Sequence, residues 1–281
     1  MMRWFRKRTT IPVLRLSGTI GMATPLRPGL SLASLAGPIE RAFATREAPA
    51  VAVVINSPGG SPVQSRLIYK RIRALAEEKA KPVYVFAEDV MASGGYLIAM
   101  AGDEIYADES SIIGSIGVIS AGFGLDKAIA RLGIDRRVHT AGEHKMSLDP
   151  FQPEKAEDIE RLKALQRDVH DDFIALVRER RGARLAADDA TLFTGEIWSG
   201  TRAKALGLVD GLSDVRSKMR EMYGEAVRLK LYSAGDSWLR RRLGLPSALA
   251  PSASVDDGVG GLAADILSAV EARALWSRFG L

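Results

Sequence analysis

A serine followed by two glycines is the first place in this sequence where the residue types suit a chemical reaction. In "DVMASGGYLIAMAG", residues 89–102, Ser93 stands where one apolar run ends and another begins. A serine at a helix start commonly caps the helix with its side chain. A cap does not require Gly94 and Gly95, each of which costs a helix about 1 kcal/mol relative to alanine. Glycines do suit a nucleophile, because they let a substrate approach the backbone, so Ser93 is a candidate nucleophile as well as a candidate cap.

A second pair of glycines, in "INSPGGSP" (55–62), predicts a partner for Ser93. Gly59 and Gly60 follow "VAVVINS" (51–57), a β-branched run typical of a buried parallel strand. Ligand sites in parallel sheets lie at the carboxyl ends of the strands, where a helix N-terminus also favours developing negative charge. Pro-Gly-Gly also suits an ordinary turn, but two glycine-rich strand ends together favour an oxyanion hole.

The base that would activate Ser93 is less obvious. The chain has no cysteine and three histidines. His170 falls on a long predicted helix, where it is structural or exposed, and His139 falls within a predicted strand. His144 and its neighbour Lys145 lie in "TAGEHKMSLDP" (140–150), which resembles an active-site loop. The residues therefore leave two alternatives, a Ser–His pair and a Ser–Lys dyad.

A lysine base places demands on its surroundings. A free lysine, with a pKa near 10.4, is protonated at neutral pH, and burial in an apolar niche favours the neutral amine. The apolar stretches "MASGGYLIAM" and "IIGSIGVI" suit such a niche. A carboxylate beside the amine would keep it charged, so the dyad requires Glu143 and Asp149 to point away from Lys145.

Strands and helices alternate along most of the chain, which predicts an α/β fold with a mainly parallel sheet. Strands are expected at 11–20, 51–57, 81–90, 136–142 and 227–233, with two short ones within 104–120. Helices are expected at 31–44, 63–80, from Ser93 onward, and at 125–134, 153–181, 200–212 and 214–224. The long helix has a predicted inward face of Ile159, Leu162, Leu165, Val169, Phe173 and Leu176.

These elements divide the chain into three parts. Residues 1–10 form a basic tail, residues 11–233 a catalytic domain, and residues 234–281 a linker (246–261) followed by an amphipathic helix (262–279). This helix suits packing on the body, on a neighbouring subunit or on a membrane surface, and we favour a neighbouring subunit, which the linker would let it reach.

The net charge of +5 is concentrated at one end. Residues 1–39 carry six of the 39 basic residues and no acidic residue, and the remainder is balanced at 33 basic against 34 acidic. This distribution argues against a nucleic-acid-binding body. The tail "MMRWFRKR" suits contact with anionic lipid or an acidic partner, or plain solvation. No transmembrane run or signal peptide is visible, so the expected location is cytoplasmic, with peripheral contact to the inner membrane through the tail.

Several stretches together resemble the signal peptide peptidase A family of serine–lysine peptidases, within the wider group of Clp proteases and crotonases. The matching stretches are "INSPGGSP", "ASGGYLIAMAGDEIYADESSIIGSIGVI", "GEHK" with "DPFQP", and "FTGEIWSGTRAKALGLVDGL". They cover roughly residues 12–232. The resemblance implies a Clp protease/crotonase-like spiral of ββα repeats with a C-terminal helical extension. The family usually carries an N-terminal membrane anchor, which is not seen in this sequence.

The resemblance also implies roles for individual residues. Ser93 is expected to be the nucleophile, Lys145 the general base, and Ser115 the hydroxyl that orients the lysine amine. Gly60 and Gly94 are expected to form the oxyanion hole. No metal or other cofactor is implied.

The implied activity is that of a serine endopeptidase. It would cleave unfolded or short hydrophobic peptides, such as signal-peptide remnants, through an acyl-enzyme, within a ring-like homo-oligomer. The alternatives are a Ser–His peptidase of the same fold, an acyl-CoA enzyme of the crotonase type and a non-catalytic scaffold.

Overall fold

The strands of the described residues form one sheet in which all pairings but one are parallel. The computed structural model describes residues 8–21, 29–233, 273–274 and 276–279. The predicted basic tail up to residue 7, the linker 246–261 and most of the predicted terminal helix lie outside the described residues.

The elements follow one another in the predicted alternating order. The strands are β1 (Thr10–Ser17), β2 (Val51–Ser57), β3 (Val83–Ala92), β4 (Glu104–Ala107), β5 (Ile112–Gly114), β6 (Ile197–Ser199), β7 (Gly211–Leu212) and β8 (Arg228–Ser233). The helices are α1 (Leu32–Phe43), α2 (Pro62–Glu78), α3 (Gly94–Ala99), α4 (Asp126–Arg131), α5 (Ala156–Arg181), α6 (Asp189–Leu192), α7 (Gly200–Ala205) and α8 (Val215–Tyr223). A short 3-10 helix, Gly182–Arg184, follows α5.

The main path of the sheet runs in the order β6-β5-β3-β2-β1-β8, with β4 and β7 branching from β3. Only the β5–β6 pairing is antiparallel. This arrangement confirms the predicted α/β class with a mainly parallel sheet, and it agrees with the Clp protease/crotonase-like fold that the resemblance implies.

The side chains of the central strands alternate between two apolar layers, because successive residues of a strand point to opposite faces. On one face, Val51, Val53 and Ile55 belong to the larger core, together with residues of α1, α2, α3 and α5. On the other face, Ala52 and Val54 belong to a smaller core with residues of β3 and with Met219 of α8. Burial on both faces explains why β2 is a continuous apolar run.

The strand predicted at 136–142 is wrong. This segment contains no strand and is exposed throughout. Arg136 instead forms a salt bridge with Asp149 and lies over the ring of Phe151, with its guanidinium carbon 4.5 Å from the ring centroid. Among the described residues, no strand lies beside this segment to complete a ladder.

The predicted inward face of the long helix is only half right. Phe173 and Leu176 are buried, as is Val177. Toward the N-terminus of α5, Ile159 and Leu162 are only partly buried and Leu165 is 61% exposed. The apolar periodicity therefore extends beyond the part of α5 that packs into the core. None of the helices in the described part of the chain is long and apolar enough to cross a membrane.

Candidate active site

Ser93 occupies a sharp turn between β3 and α3. Its backbone has φ 51° and ψ −122°, in the positive-φ region that non-glycine residues seldom adopt. The Ser93 N–H donates to the Gly114 carbonyl at 2.8 Å, and the Ser93 carbonyl accepts from Leu97 N–H at 2.9 Å. The Ser93 side chain makes no capping hydrogen bond. The cap interpretation is therefore wrong for the hydroxyl, which is left available for other chemistry.

Glycines allow three backbone segments to approach the nucleophile turn. A Cβ on Gly59 would lie 2.7 Å from the Ser93 Cβ and 3.0 Å from the Ser93 Oγ. A Cβ on Gly60 would lie 2.1 Å from the Ile20 carbonyl oxygen. Contacts under 3.0 Å are not tolerated by a real Cβ, so both positions require glycine in this packing. The Pro-Gly-Gly segment is therefore built against Ser93 and against the end of β1.

The backbone N–H groups of Gly60 and Gly94 lie near the turn that carries Ser93. Ile20 forms a parallel bridge with Gly60, in which Ile20 N–H donates to Gly59 and the Ile20 carbonyl accepts from Ser61. The N–H of Gly60 therefore points away from Ile20. The N–H of Gly94 is the first of α3 and has no carbonyl within the helix to bind. A Cβ on Gly94 would lie 3.4 Å from the Gly60 nitrogen, which shows that the two predicted oxyanion-hole donors are close neighbours.

Ser115 lies next to Ser93 across the sheet. Ala92 of β3 is in register with Gly114 of β5, so the next residue of each strand, Ser93 and Ser115, leaves the sheet at the same edge. Ser115 is 8% exposed and has φ 52°. Its N–H donates to the Glu196 carbonyl at 2.7 Å. Two serines held in unusual backbone conformations thus lie side by side at the edge of the sheet, and the role of Ser115 toward a lysine amine stays a prediction.

These residues face a cavity of about 610 Å³. Ser93, Ser115, Gly60 and Gly94 all line it. The apolar part of its wall includes Leu97, Val118, Ile119, Val169 and Phe173. The volume falls within the range of about 300–1,000 Å³ that is usual for ligand pockets, and it suits a short, largely apolar segment of peptide.

Buried polar contacts hold helix α3 in place. The Tyr96 hydroxyl donates to the Leu208 carbonyl at 2.7 Å, and burial raises the pKa of Tyr96, so it stays a neutral donor. Arg181, 3% exposed, donates to the Gly207 carbonyl and pairs with Asp210 at 2.7 Å. Burial alone would raise the pKa of Asp210, but the hydrogen bond and charge of Arg181 outweigh it and lower that pKa. The cluster fixes the helix that carries the oxyanion donor.

Lys145, the predicted base, lies apart from this cavity in the single chain. It is exposed, on a turn that covers residues 141–148, and it is not among the residues that line the cavity. Glu143 and the competing base His144 are exposed on the same turn, and Asp149 is engaged by Arg136. Lys145 forms no ion pair with any residue that the structure describes. Its pairing with Ser93 therefore stays a prediction.

His170 is a cavity residue that the sequence reasoning set aside. Its Nε2 lies 3.0 Å from the Ile116 carbonyl, next to Ser115, and its ring lines the Ser93 cavity. Its position between Val169 and Phe173, two residues of the predicted inward face of α5, is the sequence feature that indicates a place in the cavity wall. Within the described residues, no cluster of three His, Asp or Glu side chains is arranged to hold a metal ion.

Comparison with known proteins gives the chain a family. The model of peptidase family S49 matches residues 76–228, which include both serines and Lys145. The chain is 56% identical over 277 residues, 97% of its length, to a Brucella abortus protein named Na(+)/H(+) antiporter NhaA. It is 29% identical over 268 residues, 92% of its length, to the chloroplastic serine protease SPPA of Arabidopsis thaliana.

The chain spans 37% of the length of each of these two relatives. Among solved structures, the chain is similar to a mutant of the 1510-N membrane-bound stomatin-specific protease, with a TM-score of 0.48 and 15% identity, covering 82% of this chain and all of that one. The family match covers more than half of the chain, including the strand–turn–helix that carries Ser93. The chain belongs to peptidase family S49, the family of signal peptide peptidase A.

Proposed function

We propose that this protein is a serine endopeptidase that cleaves unfolded or short hydrophobic peptides through an acyl-enzyme. The observation that carries the proposal is the state of Ser93. Its hydroxyl makes no capping bond, and its backbone is held at φ 51° beside the N–H groups of Gly60 and Gly94. A serine so exposed to two convergent donors suits attack on a carbonyl carbon.

The reaction follows from these positions. The base removes the Ser93 proton while Oγ attacks the peptide carbonyl, and the N–H groups of Gly60 and Gly94 hold the oxyanion that forms. Collapse of this intermediate breaks the C–N bond, and the protonated base donates its proton to the leaving amine. Water then attacks the acyl-enzyme in the same site and releases the second fragment. Each oxyanion donor is expected to contribute about 10²–10³-fold to the rate.

Lys145 is the base in this proposal. We expect the exposed segment 119–148, which carries Lys145, to place it beside the Ser93 of its own or of another copy. No residue of this segment is buried in the single chain. It presents large apolar side chains to solvent, among them Ile119 (64% exposed), Phe123 (69%) and Leu132 (72%). An apolar surface of this kind marks a contact site, and it fits a homo-oligomer in which copies cover one another's segments. Such packing would also supply the apolar environment that a lysine base needs.

Active-site labelling tests the proposal. A fluorophosphonate should modify wild-type Ser93, and Lys145→Ala should slow the labelling strongly. His144→Ala is the matched control on the same turn and should label like the wild type. Labelling that is lost in His144→Ala and kept in Lys145→Ala would replace the dyad with a Ser–His pair. An absence of labelling in the assembled wild type would favour a non-catalytic scaffold.

A mixing experiment shows which copy supplies the lysine. Ser93→Ala and Lys145→Ala proteins are dissociated, mixed and reassembled, and peptide cleavage is measured. Recovered activity means that Lys145 serves a Ser93 of another copy. An inactive mixture, with the Ser93→Ala protein shown to have assembled with its partner, means that Lys145 reaches the Ser93 of its own chain.

A further inference from the structure

A second, smaller cavity adjoins the Ser93 cavity. It has a volume of about 180 Å³ and is lined by Val118, Lys163, Gln166, Arg167 and His170. Val118 and His170 line both cavities. The two spaces therefore share a wall, and a peptide that fills the first can extend a side chain or an end into the second.

The charged residues that line the two cavities are all basic. Among the described residues that line the two cavities, none is acidic, whereas Lys163, Arg167, His170 and Arg278 are basic or titratable to a cation. Arg167 forms no ion pair with any described residue. Lys163 pairs with Glu160 at 3.3 Å, but exposed pairs of this kind contribute little and exchange readily. Arg167 therefore gives the small cavity a positive charge with no ion-pair partner among the described residues, and Lys163 adds a charge that is only weakly paired.

The donors of the small cavity lie on one stripe of α5. Lys163, Gln166, Arg167 and His170 follow one another at steps of three, one and three, which places them on adjacent turns of the same helix face. A guanidinium presents paired N–H donors that match the two oxygens of a carboxylate. A lysine ammonium and a glutamine amide add further donors around the same point.

We propose that the small cavity binds a carboxylate of the peptide whose apolar part occupies the Ser93 cavity. This inference rests on the proposed peptidase function. The carboxylate is supplied either by the free C-terminus of a short peptide or by an Asp or Glu side chain, and the chemistry of recognition is the same for both. The enzyme would thus select apolar peptides that carry an anionic group close to the cleavage site.

The test uses peptides that share one apolar core sequence. One pair differs only in a free or an amidated C-terminus, and a second pair, both amidated, differs only in Glu or Gln at each position flanking the core in turn. The kcat/KM of each peptide is measured by mass spectrometry of the products. Hydrogen bonds to charged groups are stronger than those between neutral groups, so at least one anionic peptide is expected to be cut about tenfold faster than its neutral partner. The pair that shows the preference identifies the source of the carboxylate.

Variants then assign the preference to this cavity. In Arg167→Gln/Lys163→Gln the ratio of anionic to neutral kcat/KM is expected to fall toward one. Arg216→Gln, an exposed arginine on α8 at the opposite face of the sheet, is the matched control and should keep the wild-type ratio. Equal rates within every pair in the wild type, or a ratio that survives the double substitution, would overturn the proposal.

A binding experiment separates this proposal from the proposed function. If no peptide is cut and Ser93 is not labelled, the peptidase proposal has failed. The affinities of the free-acid, amidated, Glu and Gln peptides for the Ser93→Ala protein are then measured by calorimetry. A preference for an anionic peptide that is lost in Ser93→Ala/Arg167→Gln supports the carboxylate site on its own, and equal affinities within each pair reject it.

Discussion

Replacing Ser93 with glycine should make the protein more stable than replacing it with alanine. Both substitutions remove the hydroxyl, and they differ only in the Cβ. Holding a residue with a Cβ in an unfavourable backbone conformation costs about 1–3 kcal/mol, and Ser93 has φ 51°. Glycine adopts positive φ without this cost. Both variants should lose all peptidase activity and fluorophosphonate labelling.

The size of the difference follows from two opposing effects. Glycine relieves about 2 kcal/mol of strain, the middle of that range, but its greater freedom in the unfolded chain costs about 0.5–1 kcal/mol. The net expectation is that Ser93→Gly exceeds Ser93→Ala by about 1 kcal/mol in free energy of unfolding. For a chain of this size that corresponds to about 2–4 °C in Tm.

Urea and thermal unfolding at one fixed protein concentration provide the assay. Ser110, which is exposed and has an ordinary negative φ, gives the matched pair. Ser110→Gly should be less stable than Ser110→Ala by about 0.5–1 kcal/mol, the opposite sign. If Ser93→Gly is also less stable than Ser93→Ala by this amount, the turn stores no strain, and the argument that the fold holds Ser93 in place for catalysis loses its physical basis.

Two further predictions concern the support of the site. Gly94→Ala should lower the free energy of unfolding by about 1–3 kcal/mol through overpacking, because its Cβ would lie 2.4 Å from the Ser65 Oγ. Adding Ser65→Ala should restore about 1 kcal/mol of that stability in a double-mutant cycle. Strictly additive effects of the two substitutions would contradict the contact. Asp210→Asn should cost about 3 kcal/mol at pH 7, because it leaves the buried Arg181 unpaired. Since the folded-state pKa of Asp210 lies below its ordinary value of 3.8, its contribution is complete above about pH 4 and is lost as the pH falls through the folded pKa. The difference in urea-unfolding free energy between wild type and Asp210→Asn should therefore shrink as the pH is lowered below about 4, and a constant difference would show that the charge of Asp210 is not responsible.

Local sequence patterns predicted the strand–turn–helix around Ser93 and the glycine turn that packs beside it. A β-branched run buried on both faces can only be an inner strand, and two such strands in parallel order bring their carboxyl ends together. The glycines after each end then fix the approach of Gly60 to Ser93. This part of the site depends on contacts within two adjacent β–α units, which periodicity and turn residues describe directly.

The predictions that depended on distant packing were less accurate. The segment 136–142 has strand-like alternation but no strand beside it within the described residues. The N-terminal half of α5 has an apolar stripe that lies outside the core. The spacing of apolar residues shows which face of an element is apolar, but it does not show which other element packs on that face. The distance between Lys145 and Ser93 is equally hard to predict, because local sequence patterns do not fix the path of the long exposed segment that connects them.

The two edge strands of the main sheet restrict how copies of this protein can associate. A bare edge strand is a template onto which another chain can add its own strand. At one end, β6 has only three residues and offers few free backbone groups. At the other, β8 displays exposed Arg228 and Lys230, and like charges of this kind discourage a matching strand. Copies should therefore meet side chain to side chain rather than by extending one continuous sheet, which guards an α/β protein of this shape against fibrous aggregation.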